Sequence, residues 1–179
     1  MINPPTHSPQ NSPLQAQTCL EIQLPLRLVP RWKGLWFASA ALADFSGPVV
    51  RVLDGDTIEV LHNQRPERIR LSGIDCPEKG QAYGQKAKHA ASSLVFGKEV
   101  TLQTHGKDKY GRTIADVLLL DGSNVNHALV KEGWCWWYRK YAPGNSELEK
   151  LEKDARDAKK GLWGDPHPVP PWEWRRRSR

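Results

Sequence analysis

The chain has 179 residues, of which 39% are hydrophobic and 26% are charged, and its formal net charge is +6. This length suits one domain and is short for two. The sequence lacks any apolar run of roughly 18 residues, which excludes a polytopic membrane protein, and its ordinary composition excludes collagen, coiled coils and wholly disordered chains. The surplus of Lys and Arg favours anionic partners, with nucleic acid ahead of membranes.

The two ends of the chain differ in composition from its middle. Residues 1–46 begin with a stretch rich in Pro, Ser, Asn and Gln, which predicts disorder. Residues 25–43 run from basic to apolar to small residues, a layout typical of a secretory signal peptide, although it lies far from residue 1. The alternative is an apolar segment that packs on the domain. If the signal is real, we expect a secreted or periplasmic protein whose mature chain begins near Asp44.

The compact part, residues 47–164, alternates strand and helix patterns. The strand candidates are two β-rich runs within 49–60 that flank an Asp-Gly-Asp turn, then 68–74, 98–104 and 113–120. The helix candidates are 83–96, 125–132 and 147–160, the last with a capping box formed by Ser146 and Glu149. Five short strands with three helices predict an α+β, mainly β fold: a closed five-stranded barrel of the OB type.

The Pro- and Arg-rich tail, residues 165–179, follows this compact part. Its repeated prolines and terminal arginine cluster predict an extended, mobile appendage.

Three clusters in the compact part carry residues able to do chemistry. They are Asp-Gly-Asp-Thr at 54–57, Arg-Leu-Ser-Gly-Ile-Asp-Cys-Pro-Glu at 70–78 and Asp-Lys-Tyr-Gly-Arg at 108–112. Each alone has a structural explanation: a hairpin turn, a capped turn and a surface loop. The sequence holds no zinc-type Cys/His spacing, no Gly-x-Ser-x-Gly, and no P-loop or Rossmann glycine pattern. We therefore expect no small-molecule cofactor.

Taken together and in this order, the three clusters resemble the staphylococcal nuclease (thermonuclease) family. The resemblance runs from Val49 to Trp163 and includes the Lys-Lys-Gly-Leu-Trp at its end. It implies an OB-fold barrel with three helices and a Ca²⁺-dependent endonuclease. Such an enzyme hydrolyses the phosphodiester bonds of DNA and RNA and leaves 3′-phosphate products. We expect a monomer with nucleic acid as its substrate and no membrane span.

The resemblance also implies roles for single residues. The family's calcium ligands match the side chains of Asp56 and Asp75 and the backbone carbonyl of Cys76. The catalytic positions match Arg70, Glu78 and Arg112, where the two arginines hold the scissile phosphate and the glutamate positions or deprotonates the attacking water. The substrate-binding positions match Lys109, Tyr110, Tyr138 and Tyr141. One ring position of the family falls at Arg139, next to Tyr138.

The chemistry of the reaction asks for these residue types independently. A phosphodiester is anionic and repels hydroxide, so hydrolysis needs positive charge where negative charge develops. A hard cation held by carboxylate and carbonyl oxygens supplies part of that charge. Arginine supplies more, since its planar fork matches two phosphate oxygens. Each such preorganised donor is worth about 3 kcal/mol.

Departures from the family pattern leave two alternatives open. The loop after Glu78 is shorter than in the type member and has no lysine beyond Lys79, and Cys76 replaces a threonine. A catalytically inactive nucleic-acid-binding OB module is the alternative to the enzyme, although such modules lack the carboxylates and arginines present here. The family fold also brings the segments of Cys76 and Cys135 together. That predicts a disulfide in exported protein, with two buried free thiols as the alternative.

Overall fold

Alternating buried and exposed side chains form the strands of the computed structural model, which describes residues 44–177. The strands are β1 (Phe45–Asp54), β2 (Thr57–His62), β3 (Arg65–Leu71), β4 (Ile74–Asp75), β5 (Glu99–Lys107), β6 (Thr113–Leu119) and β7 (Trp136–Trp137). Five of them close a barrel in the order β1-β2-β3-β6-β5, and β4 pairs with β7 in a separate two-stranded sheet. This order confirms the predicted five-stranded OB-type barrel.

Two features of the register close the barrel. Strand β1 pairs with β5 through its first residues, Phe45–Pro48, and with β2 from Val49 onward. A Cβ at Gly47 would lie 2.2 Å from the carbonyl oxygen of Leu61, so glycine allows this close approach. The other closure is parallel and joins β3 to β6, with Ile69 opposite Thr113. The barrel strands therefore leave no free edge.

The three predicted helices are present, and the third begins differently from the prediction. They are α1 (Gly84–Val95), α2 (Val125–Lys131) and α3 (Ser146–Asp157). Helix α3 is capped by Asn145, whose side chain accepts a hydrogen bond from the backbone N–H of Leu148 at 3.0 Å. The capping box predicted at Ser146 and Glu149 is therefore wrong by one residue, because the asparagine before it takes the capping role.

A fourth helix, α4 (Pro171–Arg177), corrects the prediction of an extended tail. Proline suits the first turn of a helix, because no intrahelical partner is needed for its missing N–H there. Glu173 lies in the first turn and three arginines in the last, as the helix dipole favours. The ring of Trp172 then packs on Tyr138 and Trp136, with centroids 5.2 and 5.6 Å apart. A short 3₁₀ helix, Gly161–Gly164, precedes this segment.

The core lies inside the barrel and beneath α1. The inward-facing residues are almost fully buried aliphatic side chains, among them Val49, Ile58, Ile69, Leu102 and Val117. Helix α1 covers this core with a face of small residues, Ala87, Ala91 and Val95. A smaller cluster around Trp136 and Trp163 packs beside it.

A disulfide between Cys76 and Cys135 joins the segment after β4 to the segment before β7. It confirms the expected bridge and makes the alternative of two free thiols wrong. The bridge lies beside the β4–β7 pairing, in which Asp75 is opposite Trp136.

The predicted signal peptide at 25–43 and the predicted disorder up to residue 43 lie outside the described residues. Strand β1 begins at Phe45, two residues before the start predicted for the compact part. In the part of the chain that the structure describes, no helix has the length and apolar character needed to span a bilayer.

Candidate functional site

The first two sequence clusters meet where the β1–β2 turn packs against the segment after β4. Gly55 sits in that turn, and a Cβ on it would lie 2.8 Å from the Cβ of Cys76. Glycine therefore allows the turn to approach this closely, which brings Asp56 beside Asp75. The backbone N–H of Cys76 donates to Oδ2 of Asp56 at 2.9 Å and fixes the arrangement.

Arg70 on β3 bridges the two buried aspartates. Its Nη1 lies 2.9 Å from Oδ2 of Asp56, and its Nη2 lies 2.9 Å from Oδ1 of Asp75. The residues Asp56 and Asp75 are only 7% and 1% exposed. A buried carboxylate is stable only when charged or polar partners compensate the lost hydration. The structure thus brings together Asp56, Arg70 and Asp75, as predicted from the sequence.

Arg175 of helix α4 is a functional candidate that the sequence analysis missed. Its Nη2 donates to Oδ2 of Asp75 at 2.6 Å, and its Nη1 donates to Oε1 of Glu78 at 2.6 Å and to Oδ1 of Asp75 at 3.2 Å. Glu78 therefore joins the site through an arginine 97 residues away. Among three consecutive arginines, the sequence carried no signal that could single out this one.

Asp54 is the other missed residue, although it stands in the same Asp-Gly-Asp turn. Burial raises the pKa of Asp54 to about 6, helped by the negative charges of Asp56 and Glu78. The hydrogen bond from the backbone N–H of Gly55 opposes this rise, as does the weaker effect of Lys88. Burial also raises the pKa of Asp75, while Arg175 and Arg70 oppose that rise. The pairing of two aspartates in one tight turn was a signal for the site that the hairpin explanation concealed.

The site, defined by Asp54, Asp56, Asp75 and Glu78, holds more carboxylates than cations. Arg70 and Arg175 are bonded to it, and Lys88 acts on it more weakly. We call these four residues the carboxylate cluster. Its donors are oxygens alone, which suits a hard divalent cation such as Ca²⁺ and not zinc. The donor chemistry therefore fits Ca²⁺. In the arrangement described for residues 44–177, however, arginines hold these oxygens, and no group of three His, Cys, Asp or Glu is arranged as a metal centre.

Arg112 lies in a separate loop at the start of β6. Its Nε donates to Oδ2 of Asp108 at 2.7 Å, and Oδ1 of Asp108 accepts from the backbone N–H groups of Tyr110 and Arg112. Those bonds hold the pKa of Asp108 below its ordinary value although burial alone would raise it. The described contacts of Arg112 do not reach the carboxylate cluster. The parallel pairing of Thr113 with Ile69 places the loop beside β3.

The predicted substrate-binding residues divide into two groups. Tyr110 and Tyr141 are each 69% exposed, and Lys109 lies with its Nζ 4.9 Å from the Tyr110 ring centroid. Tyr138 is instead stacked on Trp172 with an interplanar angle of 2°. That stack borders a cavity of about 450 Å³, lined by Trp137, Tyr138, Arg139, Lys140, Trp172 and Arg176. Aromatic faces and cations around one cavity suit bases and phosphates.

Comparisons with known proteins find a matching family and several similar chains. The family model described as "Staphylococcal nuclease homologue" matches residues 68–165, which leaves helix α4 outside the match. The protein ParB of Escherichia coli is 43% identical over 150 residues, covering 79% of this chain and 85% of that protein. A micrococcal nuclease of Shigella flexneri is 45% identical over 148 residues, covering 78% and 85%. An uncharacterized endonuclease of Escherichia coli O157:H7 is 49% identical over 136 residues, covering 76% and 88%.

Proposed function

The chain belongs to the staphylococcal nuclease family and is an endonuclease, and from that premise we propose that it cleaves DNA and RNA in a Ca²⁺-dependent reaction that leaves 3′-phosphate ends. The observation that carries the proposal is the bridge made by Arg70, whose guanidinium holds both Asp56 and Asp75. One arginine is thereby oriented beside two of the carboxylates that we propose as ligands of the cation. The retained set of Asp56, Arg70, Asp75, Glu78 and Arg112 supports an enzyme over an inactive binding module, because such modules typically lack these carboxylates and arginines.

In the proposed reaction, the oxygen of a water molecule forms a bond to phosphorus, and the bond from phosphorus to the 5′ oxygen breaks. Glu78 accepts one proton of that water, and the 5′ oxygen leaves as a hydroxyl after taking a proton from solvent water. The carboxylate of Glu78 is 36% exposed, so water reaches it without rearrangement of the barrel. A bound Ca²⁺ supplies positive charge to a phosphoryl oxygen in this chemistry.

The two arginines of the mechanism stabilise the charge that develops on the phosphoryl oxygens. Asp56 and Asp75 fix the fork of Arg70, and Asp108 fixes that of Arg112. Because both side chains are oriented before substrate binds, little reorganisation accompanies the reaction. These carboxylates therefore have a positioning role besides any contact with a cation.

Substrate binding is assigned to the exposed rings and to the aromatic and basic cavity. Tyr110 and Tyr141 offer open faces for bases, while Arg139, Lys140 and Arg176 supply positive charge around the cavity. An extended strand fits such a surface, because its phosphates follow the cations while its bases stack. We propose that the strand runs from the Tyr110 loop past the carboxylate cluster to this cavity.

Assays of the purified full chain on DNA and on RNA, in Ca²⁺ and in excess chelator, test the proposal. We expect cleavage of both nucleic acids in Ca²⁺ only. We also expect product ends that become extendable by a polymerase only after phosphatase removes a 3′-phosphate. Full cleavage in chelator would contradict the role of Ca²⁺, and 5′-phosphate ends would contradict the proposed bond cleavage.

We also propose that the protein is exported, as a secreted or periplasmic enzyme. The disulfide between Cys76 and Cys135 supports this, because such bonds persist in oxidising compartments. N-terminal sequencing of exported protein should give a start near Asp44. Material that is recovered outside the cytoplasm with residue 1 intact would refute the signal peptide.

A further inference from the structure

Helix α4 inserts a cation into the carboxylate cluster from outside the matched family region. The guanidinium of Arg175 contacts both oxygens of Asp75 and one oxygen of Glu78. Asp75 is 1% exposed, and Arg70 takes a further bond to its Oδ1. Arg175 therefore occupies the carboxylate of Asp75, the proposed metal ligand, and that of Glu78, the proposed general base.

We propose that Arg175 competes with the divalent cation for Asp75 and Glu78, so that helix α4 sets the cation concentration at which the site loads. The inference rests on the proposed Ca²⁺-dependent function. Its physical basis is that one carboxylate oxygen cannot face a guanidinium and a metal ion in the same place. Arg70 bonds Oδ1 of Asp75 and leaves Oδ2, and Arg175 takes that second oxygen. The excess of carboxylates attracts either cation, and Arg175 supplies one positive charge where Ca²⁺ supplies two.

The contacts that dock helix α4 leave its arginine free to withdraw. Trp172 stacks on Tyr138, and Gln81 donates from its side-chain nitrogen to the carbonyl oxygen of Val169 just before the helix. Neither contact uses a residue of the carboxylate cluster. The Arg175 side chain is itself 38% exposed, so it reaches solvent by rotating its own bonds. The helix stays docked, and the tethered guanidinium remains at high local concentration.

This competition has a quantitative consequence for cation binding. The apparent dissociation constant equals the intrinsic constant divided by the fraction of molecules in which the site is free. If Arg175 occupies the carboxylates in about nine molecules of ten, its removal tightens Ca²⁺ binding about tenfold. Removal also leaves the carboxylates repelling one another when no metal is present. The variant should therefore melt lower than the natural chain in chelator and gain more from Ca²⁺.

Calorimetric titration of the full chain with Ca²⁺ tests the proposal, using Arg175→Ala, Arg175→Lys and the matched control Arg177→Ala. Arg177 pairs only with Glu173 in the described contacts, at 3.7 Å, so its loss changes the charge of α4 without touching the cluster. We expect about tenfold tighter binding for Arg175→Ala, an intermediate shift for Arg175→Lys, and the natural affinity for Arg177→Ala. Melting curves with and without Ca²⁺ supply a second readout that requires no nuclease activity.

Each outcome decides between the possible roles of Arg175. Unchanged Ca²⁺ affinity in Arg175→Ala overturns the competition, and weaker affinity shows instead that Arg175 positions Asp75 and Glu78 for the metal. If Arg175→Ala folds only with Ca²⁺, the Ca²⁺ affinity of Arg175→Lys replaces it: tighter binding than in the natural chain supports the competition, and unchanged binding overturns it. Suppose that the natural chain binds Ca²⁺ and cleaves only with it, and that Arg175→Ala binds Ca²⁺ with the same affinity. The proposed function then stands, and only the competition by Arg175 fails. If no variant binds Ca²⁺, the proposed function fails as well.

Discussion

Two buried carboxylates of this protein have similar surroundings, and we propose different roles for them. Asp75 and Glu152 are each 1% exposed, and each is held by two arginines. Asp75 contacts Arg70 and Arg175, whereas Glu152 contacts Arg139 at 3.0 Å and Arg156 at 3.4 Å. By burial and pairing alone, either one would qualify as a functional residue.

Asp75 and Glu152 differ in how many arginines there are for each carboxylate around them. Glu152 also accepts the backbone N–H of Trp137 at 3.1 Å, and in the described contacts its two arginines serve no other carboxylate. Its charge is more than compensated, so it has no need of a further cation. Asp75 shares its two arginines with other carboxylates of the cluster. The charge count of a cluster, and not the burial of one residue, therefore distinguishes a structural ion pair from the cation site that we propose.

The surroundings of Asp75 and those of Glu152 are also joined to each other. Strand β4 carries Asp75 and pairs with β7, in which Trp137 donates to Glu152. The disulfide adds a covalent link beside this pairing. The structural cluster around Glu152 therefore holds the strand on which the carboxylate cluster depends.

The largest expected effect comes from removing the covalent link with Cys135→Ser. Closing 59 positions stabilises by up to about 4 kcal/mol in the chain-entropy model, so the melting temperature should fall strongly. Because Cys76 follows Asp75, the Ca²⁺ requirement for cleavage should rise too. Thermal melts and Ca²⁺ dependence of the rate check both effects. Equal melting of variant and natural chain would show that β4–β7 pairing suffices alone.

Glu78→Gln tests the carboxylate cluster, which has more carboxylates than cations. The amide keeps the shape but accepts no proton, so kcat should fall about 10²-fold or more while KM changes little. Steady-state kinetics measure this, with the exposed Glu99→Gln on β5 as the control. A rate within a few-fold of the natural chain would remove Glu78 from the mechanism.

Glu152→Gln tests whether the ion pairs of Glu152 are purely structural. The variant loses two ion pairs that are partly exposed at their arginine ends, and we expect a loss of about 2 kcal/mol in the free energy of unfolding. The rate per folded molecule should stay within about twofold of normal. Urea unfolding and kinetics at saturating Ca²⁺ measure the two quantities. A rate loss as large as that of Glu78→Gln would erase the distinction between the regions.

The smallest effect concerns pH. The folded-state pKa of Asp54 is about 6, above its ordinary value of 3.8, so the folded chain keeps a proton that the unfolded chain releases. Stability should therefore fall as pH rises through this window, by about 1 kcal/mol after allowance for solvent screening. Asp54→Asn should make that slope shallower in urea unfolding in chelator between pH 4 and 7, while Asp75, whose pKa is also raised, keeps its own share. An unchanged slope would assign the pH dependence to other groups.

The barrel and its three helices were predictable because their patterns are local. Alternation marks the strands, and the spacing of Leu148 and Ala155 marks α3. Glu152 falls on the same face of this helix, four residues after Leu148, and the return of β7 beside it supplies the backbone N–H that its carboxylate accepts. The two-residue strands β4 and β7 are too short for any periodicity.

The sequence predicted only those residues of the candidate site that lie within its short motifs. Asp56, Arg70, Asp75 and Glu78 stand close in sequence and were assigned together through the family resemblance. Arg175 lies 100 residues from Asp75, and a contact over that distance leaves no local pattern. Helix α4 was missed for a related reason, because its prolines indicate an extended chain until tertiary packing of Trp172 is known.

The way β1 closes the barrel limits where the chain tolerates a cut. Asp44 accepts the backbone N–H of Thr104 at 2.9 Å, and the residues up to Pro48 pair with β5. A protease that removes everything before Asp44 leaves these contacts whole, whereas one that cuts after Pro48 opens the barrel into a sheet. The freed edge of β5 then offers unpaired backbone groups to another chain, a template for aggregation. Five residues, Asp44 to Pro48, thus separate a cut that keeps these contacts from one that loses them.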